Sequence, residues 1–143
     1  MILLDTSVLV YSVSADHPLR APCRRVLEAH AAGRIDAATT IAVLQEFAHI
    51  RARRRSRADA VDLTRRFAQT LVLIDVGPEA LEMGMQLFAR HPRLGAFDAV
   101  LAGAGIHHRV EALMSADRAF GAIGEQLRHV DPSTPALDSL LGS

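Results

Sequence analysis

Ile2-Leu3-Leu4-Asp5-Thr6-Ser7 opens the chain with an apolar run that stops abruptly on a carboxylate. Residues 1–4 read as a short buried strand. A charged side chain beside Ile and Leu is costly to bury unless something pairs with it. In parallel α/β proteins, ligands sit at the carboxyl ends of the strands. An acid at that place is therefore a candidate for metal or substrate chemistry. Thr6 or Ser7 can cap the short apolar helix expected over Val8–Val13, which leaves Asp5 free for other work.

Outward from this strand, the chain alternates in a βα rhythm. A turn at Asp16-His17-Pro18 precedes a helix expected from about Pro22 to Ala32, with Val26 and Leu27 inward and Gly33 ending it. Ile35–Ala38 is a weak strand. Thr39 or Thr40 caps a third helix bearing Ile41, Val43, Leu44, Phe47 and Ile50. Ser56 with Asp59 resembles a capping box opening a fourth helix that runs to about Thr70. Leu71–Asp75 reads as a strand. Gly77-Pro78-Glu79 starts a fifth helix, with proline in its first turn, and His91-Pro92 stops it.

Gly95 to about His107 forms a sixth helix. Its small residues Ala99, Ala102, Gly103 and Gly105 suit close approach to a sheet. Ala112–Ser115 is a strand, Arg118–Ile123 a short helix, and Leu127–Val130 a last strand. Strands separated by helices imply an α/β fold: a parallel β-sheet of four to five strands with helices on both faces. A single domain is expected over 1–131, and the Pro- and Ser-bearing stretch 132–143 as a loosely held tail.

Bulk properties narrow the function. The 143 residues fit one domain, and with half of them hydrophobic a sizeable core is expected. Net charge is zero, so nucleic acid is not bound by bulk charge; any such contact must be local. All 16 basic residues are Arg, which excludes a phosphate loop, a Schiff base or a Ser–Lys pair, since each needs lysine. Cys23 is the only cysteine, so an internal disulfide and a Cys-rich zinc site are excluded, and the residue reads as part of a helix face. No signal peptide or membrane span is legible, and a soluble cytoplasmic protein is expected.

Three further acids resemble Asp5 in setting. Glu46 lies on the flank of the third helix's apolar stripe, near Ala42, Val43 and Ile50. Asp98 sits in the first turn of the sixth helix among Leu94, Phe97, Val100 and Leu101; favourable interaction with the helix dipole is its competing role. Asp117 follows Leu113-Met114-Ser115 and repeats the strand–acid–helix order of Asp5, with N-capping as its competitor. Carboxylates forced into one pocket repel, and their pKa values rise unless a cation neutralises them. An all-oxygen acidic pocket suits Mg²⁺ or Mn²⁺.

At this point the residues resemble a known family. Ile2-Leu3-Leu4-Asp5-Thr6-Ser7, Gln45-Glu46-Phe47, Phe97-Asp98-Ala99-Val100-Leu101-Ala102 and Met114-Ser115-Ala116-Asp117-Arg118-Ala119-Phe120 are similar, in order and spacing, to PIN-domain ribonucleases, in particular the VapC toxins of toxin–antitoxin pairs. The resemblance spans residue 1 to about 130. It implies endonucleolytic RNA cleavage with Mg²⁺ or Mn²⁺ at an acidic site of Asp5, Glu46, Asp98 and Asp117. Asp5, Asp98 and Asp117 would hold the metal, and Thr6, Ser7 and Ser115 would be supporting hydroxyls. Many relatives carry a further acid where this chain has Ala119. A homodimer and a small cognate antitoxin are also implied.

The resulting expectation is hydrolysis by metal-activated water, leaving a 5′-phosphate and a 3′-hydroxyl. Arg51, Arg53, Arg54 and Arg57, with Arg55 among them, are candidate RNA contacts; their competing role is a solvated helix end. Phe47, Phe67, Phe88 and Phe97 fit the core better than a base-stacking platform. Two rivals remain. A haloacid-dehalogenase-like phosphotransferase using Asp5 would want an acid where Ser7 stands and a lysine the chain lacks. A catalytically inactive RNA- or protein-binding domain would have no need of four acids.

Overall fold

β1 (Ile2–Leu4) is fully buried and pairs on both sides, which places it at the centre of a sheet. The computed structural model describes residues 1–142. Ile2 lies opposite Ala37 in β2 (Ala37–Thr39) and opposite Ala112 in β4 (Ala112–Met114). β3 (Val72–Leu73) adds outside β2, and β5 (His129–Val130) outside β4. The order is β3-β2-β1-β4-β5, with every pairing parallel. The expected parallel sheet is therefore present, with five strands.

From β1 the chain steps outward through β2 to β3, then crosses back to β4 and β5 on the other side. The direction reverses between β1 and β4, and a crevice opens at their carboxyl ends. Right-handed crossovers assign helices to faces. α1 (Thr6–Ser12), α2 (Arg20–Ala31), α3 (Ile41–Arg54) and α4 (Arg57–Thr70) cover one face. α5 (Pro78–Arg90), α6 (Ala96–His107) and a 3-10 segment (Arg118–Gln126) cover the other.

Local signals explain most element ends. Thr40 caps α3 by accepting from Val43 N–H at 3.2 Å. Ser56 caps α4 by accepting from Asp59 N–H at 3.1 Å, but the Asp59 carboxylate does not close the box, because it pairs with Arg51 instead. α6 ends in a Schellman turn: Val110 N–H reaches Gly105 O at 3.0 Å while Arg109 adopts φ 55°, the conformation glycine usually supplies. α5 and α6 are in near-backbone contact. A Cβ on Gly103 would meet Ala80 O at 2.5 Å, and one on Gly84 would meet Val100 Cα at 2.7 Å. Of the small residues expected to face the sheet, Gly105 does so against Leu3, whereas Gly103 serves the helix pair.

Several expectations shift. α1 starts at Thr6, with Asp5 in the cap position, so Thr6 and Ser7 lie inside the helix rather than capping it. α2 begins at Arg20, two residues before Pro22. Leu71–Asp75 contributes only a two-residue edge strand, with Leu71 and Ile74 buried and Val72 and Leu73 exposed. Phe47 and Phe67 are buried and meet edge to face, but Phe88 and Phe97 are exposed, contrary to their reading as core.

The tail reading also differs. Ala136–Leu141 forms α7, which buries Leu137, Leu140 and Leu141 and packs on α2. Leucines at that helical spacing form one apolar face, and Asp138 adds an ion pair to Arg25 at 2.8 Å. Ser143, the last residue of that tail, lies outside the described residues.

Candidate active site

Asp5 is the residue after β1, where α1 begins. At that position an aspartate ordinarily caps the helix, yet its side chain makes no capping bond. Asp5 Oδ2 instead accepts from Ser115 Oγ, beyond the end of β4, at 2.6 Å. Ser7 Oγ lies 3.4 Å from both Asp5 Oδ2 and Ser115 Oγ and accepts from Ala116 N–H at 3.1 Å. Ser115 Oγ accepts in turn from Asp117 N–H at 3.0 Å. This hydroxyl network binds the ends of β1 and β4 together across the crevice. Asp5 and Ser115 are both buried, so their bond is made in a low-dielectric setting, where leaving either partner unmade is costly.

The other acids arrive from three directions. Asp117 leaves β4 and caps the 3-10 segment, with Oδ1 accepting from Ala119 N–H at 2.9 Å. The competing capping role is thus real, and it occupies one of the two carboxylate oxygens. Glu46 comes from α3 on one face of the sheet and Asp98 from the first turn of α6 on the other; both are half-buried.

Electrostatics tie the four together. The Asp5 carboxyl is pushed above the ordinary range, chiefly by burial and further by the charges of Glu46 and Asp117; the Ser115 hydroxyl and a backbone N–H oppose this. Asp98 is pushed up to about 6, by burial first and then by Asp5, Asp117 and Glu46. Both therefore feel the charges of Glu46 and Asp117.

The donor set fits a hard divalent cation: every side chain in it offers oxygen, and the raised carboxyls mark uncompensated negative charge. Thr6 Oγ1, beside Asp5, is buried without a hydrogen-bond partner and is available to a water or ligand. Among the described residues, no three acidic, His or Cys side chains are gathered into a ready-made metal cage.

The arginines divide. Arg51 is spent on structure: its Nε pairs with Asp59 and its Nη1 donates to Val13 O at 3.0 Å. Its inclusion among candidate RNA contacts is corrected by this geometry. Arg53, Arg54, Arg55 and Arg57 are exposed. Cys23 is buried with its thiol pushed up to about 12 by burial, in keeping with a packing role. The sequence reading missed His30, which accepts from Ala37 N–H at 3.0 Å and lies 2.6 Å from Thr70 O, clamping α2 to β2 and to the end of α4. No described helix is long and apolar enough to cross a membrane.

Comparison with known proteins bears on the family. The PIN domain profile matches residues 2–126. The chain is 43% identical to Ribonuclease VapC7 of Mycobacterium tuberculosis, an alignment covering 99% of both proteins. Its fold is similar to VapBC2 of Rickettsia felis, solved bound to a promoter DNA fragment, with TM-score 0.73 at 19% identity over 92% of this chain and 98% of that one. It is also similar to VapC20 of Mycobacterium tuberculosis, a sarcin–ricin loop cleaving toxin, with TM-score 0.71 at 20% identity over 87% and 95% of the two chains. A profile match over residues 2–126, a relative 43% identical over the full length and the shared five-stranded parallel fold give one conclusion: this chain belongs to the PIN-domain ribonuclease family, in its VapC branch.

Proposed function

We propose that this chain is a metal-dependent endoribonuclease and the toxin of a toxin–antitoxin pair, built as one nuclease unit over residues 1–131. The observation that supports this reading is electrostatic: the Asp5 carboxyl is raised by burial and by Glu46 and Asp117, and the Asp98 carboxyl by burial and by Asp5, Asp117 and Glu46. Asp5, Asp98 and Asp117 would hold Mg²⁺ or Mn²⁺, directly or through water. When bound, such a cation lowers the pKa of water at the site and offsets charge on the phosphoryl group under attack.

The chain's own groups do the positioning. Ser115 fixes the rotamer of Asp5 and, through its contact with Asp117 N–H, the start of the 3-10 segment. Ser7 holds the backbone at Ala116. Glu46 approaches from the opposite helix layer to Asp98 and can accept a proton from an attacking water. In-line attack by water leaves a 5′-phosphate and a 3′-hydroxyl.

A second copy and a small antitoxin are the proposed protein partners. Ile41, Val76, Leu81 and Phe97 are exposed apolar residues lining one groove of about 670 Å³, which a second protomer would cover. RNA incubated with pure protein tests the activity. Cleavage is expected with Mg²⁺ or Mn²⁺, and loss of cleavage with chelator, in D5N and in D98N. Chelator-resistant cleavage, or full activity in either variant, overturns the reading.

A further inference from the structure

A second concave site lies along α1 and α3, beyond the acids. It is a groove of about 540 Å³ between the carboxyl-terminal ends of the two helices. Val10, Val13, Phe47 and Ile50 contribute apolar surface. One wall is an aromatic stack, with Tyr11 and His17 ring centroids 4.5 Å apart and the planes 24° from parallel. His17 Nδ1 accepts from Leu19 N–H at 3.1 Å, which leaves Nε2 as the ring's donor.

The facing wall carries Arg54 and Arg55, both exposed. Arg51 also borders the groove, already paired with Asp59, and Asp16 is the one carboxylate among the lining residues. The lining is therefore locally cationic in a chain of zero net charge. Its position matters as much as its chemistry. α3 carries Glu46 at the acidic site and reaches Ile50 and Arg54 about 6 and 12 Å further along its axis. α1 has Asp5 at its N-cap and carries Tyr11 in its last turn. The groove thus lies further along the same two helices, with none of the four acids in its lining.

We propose that this groove binds a nucleotide of single-stranded RNA flanking the scissile phosphate, its base packed against the Tyr11–His17 wall and its phosphate on Arg54 and Arg55. An aromatic face and a guanidinium pair, spaced across an apolar floor, match the two halves of a nucleotide; unpaired RNA bases are held by such stacking, and the backbone by arginine. An acidic protein segment would use the arginines but has no need of the aromatic wall. The inference rests on the ribonuclease reading above.

The test uses full-length protein, Mg²⁺ and a long in vitro RNA transcript, with cut sites mapped by end sequencing. R54A/R55A alters exposed residues only and is expected to raise KM at least fivefold, with a much smaller change in kcat. The salt slope of RNA binding should fall by about one to two. Tyr11→Leu, checked for folding by circular dichroism, is expected to flatten base preference at one position beside the cut. Wild-type protein that cleaves RNA, with R54A/R55A matching it in KM and salt slope, overturns the groove alone. So does an R54A/R55A protein that cleaves normally but fails to bind its antitoxin, which would make the groove a protein site. Wild-type protein that cleaves no RNA overturns the ribonuclease reading, and the inference falls with it.

Discussion

Replacing Asp98 with Asn should make the metal-free protein more stable while removing its activity. Burial and the charges of Asp5, Asp117 and Glu46 raise the Asp98 carboxyl from an ordinary 3.8 to about 6. The folded protein then binds the Asp98 proton more tightly than the unfolded chain does. Below the unfolded value both states are protonated, and no penalty exists. As pH rises through the interval between the two values, the folded state loses stability, and above about 6 the loss is complete.

A shift of roughly two units corresponds to ~3 kcal/mol at most. Asp98 is only half-buried, so solvent and salt screening reduce this to about 1–2 kcal/mol. Asn carries no charge and escapes the penalty. D98N should therefore raise Tm by ~3–8 °C at pH 8 in chelator, and the gain should shrink to about half by pH 5. Magnesium should stabilise wild type and do far less for D98N, because a ligand stabilises only the state that binds it. Thermal melts by circular dichroism at both pH values measure this. A D98N protein that melts below wild type at pH 8, or a gain that grows toward pH 5, would refute the argument that these acids repel one another in the folded state.

Ser115→Ala removes the 2.6 Å bond to the buried Asp5 carboxylate. It should cost ~1–3 kcal/mol in urea melts, and cleavage should drop at least tenfold while Ser7→Ala, whose contacts are longer, does less; equal effects would count against Ser115 as the main support of Asp5. Gly103→Ala drives a methyl into Ala80 O. A loss of ~3 kcal/mol or more is expected by denaturant titration, since two backbones rather than a flexible side chain must move apart. Leu81→Glu puts a charge on the exposed apolar groove. Sedimentation should show a shift from dimer to monomer with the fold intact, and an unchanged dimer would exclude this face as the interface.

How much of this was legible beforehand depended on the range of the interaction. Ile2-Leu3-Leu4-Asp5 identified a buried strand ending on an acid because strand burial and charge cost are local facts. Thr40, Ser56 and Gly33 marked helix ends for the same reason. Phe88 and Phe97 were misjudged, since hydrophobicity alone does not distinguish a core from an apolar surface that can meet a second molecule. The tail was misjudged because two prolines outweighed the spacing of Leu137, Leu140 and Leu141, whose burial needs α2 as a partner.

Residue type and order along the chain determined that there are four acids in suitable local settings, and that lysine, disulfide and Cys-zinc chemistry are absent. Only the tertiary structure decided how they are used. The β1–β4 pairing brings Ser115 to Asp5 across 110 positions of chain. Packing brings Glu46 of α3 and Asp98 of α6 near enough for the charge of one to act on the other. Arg51 is diverted to Asp59 and Val13 while Arg54 and Arg55 are left beside an aromatic wall. Coulomb repulsion, desolvation and hydrogen bonding depend on distance in space, and that distance is set by the packing of the sheet and its helices.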